Sequence, residues 1–451
     1  MDSRPPAFWR NLREELASGH HWIDRAVVLV YAVLTGLVVV GFTLLSEAAS
    51  HGFEQLRALG KPGPWLTLVW TPALTVGVLW WTQRFVPAAM GSGIPQVVAA
   101  LDERVDAAQR DWLVGLRVSL HKIVLVSGGL LAGLSIGREG PTVQVGAGVM
   151  RHAQRWLSRG AGIDAHDLIV AGAAAGIAAA FNTPLGGVIF ALEQLSRRRH
   201  LSHSSLVIIS IVLAGLVAVS VFGNLTYFGR LSVEYLDWSL LGPGVLVVLA
   251  CGLVGGLFSR LMIASVRELP GRFGTWRGKH PLRFAAGCAL AVAVIGIVAD
   301  GTTAGAGYAT TRALLEGHGE VPAIYTLLKF AATWLSALSG VPAGVFAPSL
   351  AIGAGLGHDV ALLTGVGAER AIPLIAVGMV AFLSASTQGP LTAFIIVMEM
   401  VAGQAMVLSL MAASLLATGV ARMVTRPMYV ELAALLLANA PRGSSGAVPQ
   451  R

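Results

Sequence analysis

Residues 26–45 read AVVLVYAVLTGLVVVGFTLL, twenty consecutive residues without a charge. At a 1.5 Å rise, about 20 apolar residues cross the hydrocarbon core of a bilayer as one helix. A backbone in lipid must satisfy its own hydrogen bonds, so helices or a closed barrel are the only spanning forms. Further strong apolar segments lie at 205–222, 240–258, 284–299, 371–401 and 405–421, each too long for a barrel strand. Only 12% of the 451 residues are charged and 55% are hydrophobic, against about 25% charged in soluble proteins. The first run follows a basic, polar N-terminus and lacks a small-residue cleavage site, so it reads as a retained span rather than a signal peptide. The expected class is an all-α integral membrane protein with many passes.

The formal net charge of +8 does not point to nucleic acid here, because the basic residues sit in short polar stretches between apolar runs. Arg197, Arg198 and Arg199 form one cluster, and Arg267, Arg272, Arg277, Lys279 and Arg283 another. Such loops stay on the cytoplasmic side. Arg4, Arg10, Arg13 and Arg25 place the N-terminal segment there as well, and the reading puts both termini in the cytoplasm. Cys251 and Cys288, far apart in apolar segments, read as small core residues rather than a disulfide framework.

The chain also repeats itself. GREGPTVQVGAG begins at Gly137 and GVFAPSLAIGAG at Gly344, with Pro141 and Pro348 207 residues apart. PLGGVIFALE begins at Pro184 and PLTAFIIVME at Pro390, 206 residues apart, each carrying a glutamate nine residues on, at Glu193 and Glu399. A weaker pair is Gly-Ser-Gly-Ile at Gly91 and Gly-Ala-Gly-Tyr at Gly305. Two long matches at one offset indicate an internal duplication. The expected division is a cytoplasmic segment 1–25, a first membrane repeat 26–223, a connection 224–239, a second repeat 240–432 and a tail 433–451, which ends in the polar PRGSSGAVPQR. Transport folds are often two such repeats, with the ion site where Gly- and Pro-interrupted segments of the halves meet.

Pro95, Pro141 and Pro348 mark helix starts, since the first turn tolerates the missing N–H. The glycine-rich residues before them would be extended backbone, tolerated at membrane depth only inside protein or along a polar cavity. Helix starts leave N–H groups unpaired and carry about half a positive charge. Several aimed at one point attract an anion weakly enough to release it. No P-loop, dinucleotide fingerprint, zinc motif or nucleophile elbow is present, so the chain does not read as an enzyme and no metal or organic cofactor is expected.

GSGIP at 91–95, GREGP at 137–141 and GVFAP at 344–348, in this order, resemble the CLC chloride channels and chloride/proton exchangers. The likeness extends to Lys122, taken as structural, FNTPL at 181–185 and RPMY at 426–429. It implies an inverted-repeat fold with many tilted and broken helices, a homodimer with one pore per subunit, chloride and protons as cargo, and residence in a bacterial inner membrane. It implies that chloride is held by Ser92, Tyr429 and the amides of Val345 and Phe346, with Gly93 and Ile94 at the GSGIP helix start. The amides around Arg138 and Gly140 would cradle an outer anion, and Glu139 would be the gate, its carboxylate competing with chloride until a proton removes the charge. Without the likeness, Ser92 reads equally as a hydroxyl bonded back to a helix carbonyl, and Tyr429 as an interfacial aromatic.

The sequence departs from the exchangers at one place. Many carry a second, inward-facing proton glutamate, whose position here is Gln194, beside Glu193. A glutamine does not exchange protons. The inner proton path then runs by Glu193, by water or not at all. Glu193 also reads as a paired carboxylate, with Arg197 one turn on. The expected function is chloride/proton antiport, with a passive gated channel as the alternative. A fluoride/proton antiporter ranks lower because GSGIP and GREGP are intact.

Overall fold

Glycine, proline and left-handed residues interrupt the apolar runs at matching places in the two halves. The structure is a computed structural model and describes residues 19–158, 162–196, 204–223, 228, 238–267, 271–317, 321–322 and 324–439. Arg4, Arg10 and Arg13, the Arg197–Arg199 cluster with its expected pairing to Glu193, most of the connection 224–239 and the tail from 440 lie outside the described residues.

The first half contains α1 (Gly19–Arg57), α2 (Gly63–Phe85), α3 (Ile94–Ala100), α4 (Ala107–Val114), α5 (Leu116–Leu131), α6 (Glu139–His152), α7 (Ala165–Phe181), α8 (Pro184–Phe190) and α9 (Ser204–Phe222). The second contains α10 (Leu241–Val266), α11 (Gly271–Lys279), α12 (Pro281–Val298), α13 (Tyr308–Leu315), α14 (Tyr325–Leu338), α15 (Phe346–Leu363), α16 (Ala368–Thr387), α17 (Pro390–Met400), α18 (Val407–Val424) and α19 (Met428–Asn439). Among the described residues, eight helical stretches are long and apolar enough to cross a membrane, and there is no β-strand. Thirty-nine residues in α1 exceed what a perpendicular span needs, so it tilts or extends beyond the hydrocarbon.

The segment 371–401, expected as one apolar stretch, is two helices. Gln388 closes α16 in the left-handed region (φ 53°) and Pro390 opens α17. The same device divides α7 from α8, where Asn182 has φ 57° and Pro184 follows. A left-handed residue ends a helix by turning the chain out of register, and a proline soon after cannot rejoin it. Pro95 is the second residue of α3, and Pro141 and Pro348 are the third residues of α6 and α15. All three lie in a first turn, where the missing N–H costs no intrahelical bond.

Buried helices α6, α7, α15 and α16 form the centre. The glycines of the repeated Gly-Ala-Gly explain how tightly they pack. A Cβ at Gly146 would stand 2.2 Å from the Gly172 carbonyl, and one at Gly353 2.3 Å from that of Gly378. Backbone touches backbone in both helix pairs, as small residues permit between membrane helices. Cys251 and Cys288 are buried free thiols in this packing, and Cys251 Sγ donates to the Gly378 carbonyl at 3.6 Å.

Two buried lysines hold the interrupted loops. Lys122 Nζ donates to the carbonyls of Ala89 and Gly91, both at 2.7 Å. Lys329 Nζ donates to those of Thr303 and Gly305, at 2.9 and 2.8 Å. A buried ammonium is tolerable when its protons meet carbonyl oxygens, and the extended loops before α3 and α13 supply carbonyls unused by a helix. The glutamates of the second repeated motif are exchanged between halves. Glu193, in a π-helical turn after α8, accepts from the amides of Leu391 and Thr392 at 3.0 and 2.8 Å. Glu399 accepts from those of Leu185 and Gly186 at 3.2 and 2.7 Å. Each half caps the proline-led helix of the other.

Candidate functional site

The halves meet at two glycines. Gly137 donates its N–H to the Gly344 carbonyl at 2.7 Å, and Gly344 returns the bond at 3.0 Å. Beside them, Ala343 donates to the Gly91 carbonyl at 3.1 Å. These bonds fix the short non-helical segments ahead of α3, α6 and α15, and bring the three helix starts to one region inside the protein.

Glu139 is the first residue of α6 and is wholly buried. Its Oε1 accepts a hydrogen bond from the Tyr308 hydroxyl and lies 4.0 Å from Arg138 Nε. Its Oε2 has no hydrogen-bond partner among the described residues. The side chain folds back along its own loop. A Cβ at Gly137 would stand 2.3 Å from Oε2, 3.1 Å from Pro348 Cδ and 3.3 Å from Ala347 Cβ. The carboxylate therefore rests beside the first turn of α15, where the amides lack intrahelical partners and the helix dipole favours negative charge. The Arg138 side chain reaches away to α1, donating to the Thr43 carbonyl at 3.2 Å and to Glu47 at 3.1 Å. The guanidinium is thus engaged on α1, and what Arg138 turns toward the helix starts is its backbone.

Ser92, Gly93 and Ile94 lie against the same turn. The Ser92 hydroxyl is packed on Gly140, where a Cβ would approach it to 2.4 Å. Gly93 caps α3 at φ 101°, a conformation that favours glycine, and its N–H donates to Gln96 Oε1 at 3.0 Å. That amide is already engaged, so of the two α3 positions Ile94 is the one at the open helix start. Val345 caps α15 and Phe346 begins it, both buried. The Phe346 ring stacks on Tyr429 at 6.2 Å and 8° and packs against Phe181 at 6.0 Å. Tyr429, in the first turn of α19, faces Ser92. The two hydroxyls are buried facing each other, and neither has any other hydrogen-bond partner among the described residues. Unpartnered buried donors are costly in an apolar setting. Two such hydroxyls beside open helix starts are suited to an anion that accepts hydrogen bonds and needs no fixed cation.

Ser92, Ile94, Glu139, Gly140, Val345, Phe346 and Tyr429 thus come together, whereas Glu193 and Gln194 stand apart at the α8–α17 junction. Gln194 lies against Gly389, the residue before α17, where a Cβ would meet its Nε2 at 2.0 Å.

A sequence profile described as "Voltage gated chloride channel" matches residues 73–422. The chain is 30% identical to the H(+)/Cl(-) exchange transporter ClcA of Citrobacter koseri, over 92% of this chain and 89% of that protein. It is also 30% identical to ClcA of Yersinia pestis, over 94% and 91%. The chain belongs to the voltage-gated chloride channel family. Among solved structures, a slow cyanobacterial Cl-/H+ antiporter superposes with a TM-score of 0.78 at 23% identity, covering 93% of this chain and 99% of that one. A CLC-type fluoride/proton antiporter superposes at 0.72 and 24% identity, covering 91% and 97%. These likenesses establish the fold: the chain is a multi-pass, all-α membrane protein with the inverted-repeat architecture of the CLC family.

Two residues of this family member's site escaped the sequence reading. Tyr308, the partner of Glu139, follows the second Gly-x-Gly and occupies the place of Ile94 in the weaker repeated pair. Lys329 lies 207 residues after Lys122, the offset of the prolines. A search for lysines at that spacing finds it.

Proposed function

We propose that the protein is a chloride/proton antiporter gated by Glu139. The observation that carries this reading is the resting place of the carboxylate: buried, folded back over Gly137, and beside the α15 start that an anion would also seek. Ionised, Glu139 is a tethered anion that occupies the outer position. Protonation removes its charge, weakens its attraction to the helix start, and lets chloride move in from the region of Ser92, Tyr429 and the Ile94, Val345 and Phe346 amides. Chloride and proton are then linked by competition. Chloride excludes the ionised carboxylate, and a carboxylic acid makes room for chloride.

In this reading the molecule works as a homodimer with one pathway in each subunit, in a bacterial inner membrane. The basic stretch through α11 and both termini face the cytoplasm, which the positive-inside bias of Arg272, Arg277 and Lys279 supports. The repeats at 26–223 and 240–432 each supply helix starts to the pathway. Bound chloride is cargo, and no cofactor takes part.

A passive gated channel is the second reading, favoured by the inner side. Gln194 has no proton to exchange, and both oxygens of Glu193 are committed to the Leu391 and Thr392 amides. Reconstitution into liposomes separates the readings. With a chloride gradient imposed and the voltage clamped, antiport drives protons uphill, whereas a channel passes chloride alone. Glu139→Gln is expected to abolish proton movement while chloride still flows. Proton coupling that survives in that variant removes Glu139 from the gate.

A further inference from the structure

A cavity of ≈ 470 Å³ lies beside Glu139, taken as the outer side in the proposed orientation, lined by Arg138 and Tyr308 among others, with Glu139 absent from its lining. Tyr308 touches both. Its half-buried ring borders the cavity, and its hydroxyl donates to Glu139 Oε1. The ring is fixed from two sides, by Phe228 at 5.9 Å and by the Arg138 guanidinium, 5.8 Å from its centroid. The turn carrying it is fixed as well. Lys329 holds the carbonyls of Thr303 and Gly305, and Gly305 donates its N–H to Leu134, on the loop leading to Gly137, at 3.0 Å.

We propose that Tyr308 is a latch on Glu139, a positioning residue that holds the ionised gate in its folded-back place and covers it from the outer cavity. The inference rests on Glu139 being the gate. A phenol donating to a carboxylate makes a charge-assisted hydrogen bond, about twice as strong as a neutral one. Protonation of Glu139 removes that charge, so the same proton that frees the gate loosens its cover. Lys329 serves the latch by fixing the turn from which Tyr308 projects.

Other charges face this place. Arg138 is the near cation on α6. From α1 comes Glu47, which Arg138 already holds. Further along the cavity wall are the His51–Glu54 pair at 3.4 Å and the Arg57–Asp300 pair at 3.2 Å. Lys329 lies behind the turn, on α14. The first turn of α15 contributes Phe346, Ala347 and Pro348, without charge. Tyr308→Phe alters none of these groups. It keeps the ring and removes one oxygen.

The test uses the full chain in liposomes, with chloride and proton flux recorded against pH. Losing a hydrogen bond made to the ionised form makes protonation easier. For Tyr308→Phe, the pH of half-maximal flux is expected to move upward by about one to two units, about 10- to 100-fold in proton concentration. In a Glu139→Ala background the same substitution is expected to change nothing. A Tyr308→Phe profile that superposes on that of the unaltered protein overturns the latch, as does an equal effect with and without Glu139. Failure of the gate reading looks different: Glu139→Ala itself would retain proton coupling. Uncoupling in Glu139→Ala alongside an unshifted Tyr308→Phe removes only the latch.

Discussion

Replacing Gly137 by alanine tests where the gate carboxylate rests. The new methyl group would stand 2.3 Å from Glu139 Oε2, whereas ordinary contact begins near 3.4 Å. The carboxylate must retreat by about 1 Å, enough to spoil the hydrogen bond from Tyr308. A hydrogen bond to a charged group contributes about 1.5–3 kcal/mol. At 1.4 kcal/mol per factor of ten, the population of the folded-back gate relative to displaced ones falls by one to two orders of magnitude. The charge on Glu139 is unchanged, so only its place is disturbed. In liposomes at neutral pH, chloride efflux is expected to rise above that of the unaltered protein at the same pH, with fewer protons moved per chloride. The methyl would also sit 3.1 Å from Pro348 Cδ and 3.3 Å from Ala347 Cβ, so a control is needed. In a Glu139→Ala background the 2.3 Å clash is gone, and Gly137→Ala is expected to have little further effect on flux. If it lowers flux equally in both backgrounds, the methyl acts on the junction of the halves and the argument about the carboxylate is refuted.

Ser92→Ala removes a buried hydroxyl that has no described protein partner beyond Tyr429. Chloride affinity, read by calorimetry in detergent, is expected to fall about five- to tenfold, near the 1 kcal/mol of one neutral hydrogen bond, and an unchanged affinity takes Ser92 out of the anion site. Glu399→Ala and Glu193→Ala each strip a cross-repeat cap of two amide bonds. Each is expected to cost about 2–3 kcal/mol of stability, seen as a lower melting midpoint, while the transport of surviving protein keeps its pH profile. Lys329→Met leaves the Thr303 and Gly305 carbonyls without their donor and frees the Tyr308 turn. It is expected to shift the flux profile in the same direction as Tyr308→Phe and to lower the melting midpoint, whereas Lys122→Met lowers the midpoint without that shift.

Much of the fold was legible because membrane helices are written in long apolar runs and the duplication is written in proline spacing. The pairing of 137–148 with 344–355 anticipated the contact between Gly137 and Gly344 and the proline-bearing first turns of α6 and α15. Three things were less legible. The stretch 371–401 is apolar on both sides of a short polar break, Ser386-Thr387-Gln388-Gly389-Pro390, and a glutamine rather than a glycine supplies the left-handed end of α16. The Gly-Ala-Gly glycines carry no mark to tell packing from anion binding, and what decides it is that a Cβ at Gly146 or Gly353 would stand 2.2 or 2.3 Å from a carbonyl of the facing helix. The glutamates of the Pro-Leu segments were visible, but their exchange across the halves is a long-range pairing, Glu193 with Leu391 and Glu399 with Leu185, that local pattern does not encode.

The duplication also sorts residues by duty. Where both halves carry the same residue or the same device, it is structural: Lys122 and Lys329 on loop carbonyls, Glu193 and Glu399 on helix starts, Asn182 and Gln388 at left-handed ends, Gly137 and Gly344 bonded to each other. Where the halves meet around Glu139, two matched positions differ. Glu139 in the first half answers to Phe346 in the second, and Tyr308 in the second answers to Ile94 in the first. A symmetric scaffold with a carboxylate in both places would confront two like charges at the meeting point of α6 and α15, and neither could ionise without opposing the other. Placing the acid in one half and an aromatic in the other leaves one carboxylate at that point, held by the Tyr308 hydroxyl at the wall of the ≈ 470 Å³ cavity. Gln194 fits the same division. It lies at the junction of α8 with α17, among the caps that hold the halves together, and not among the groups that Glu139 contacts.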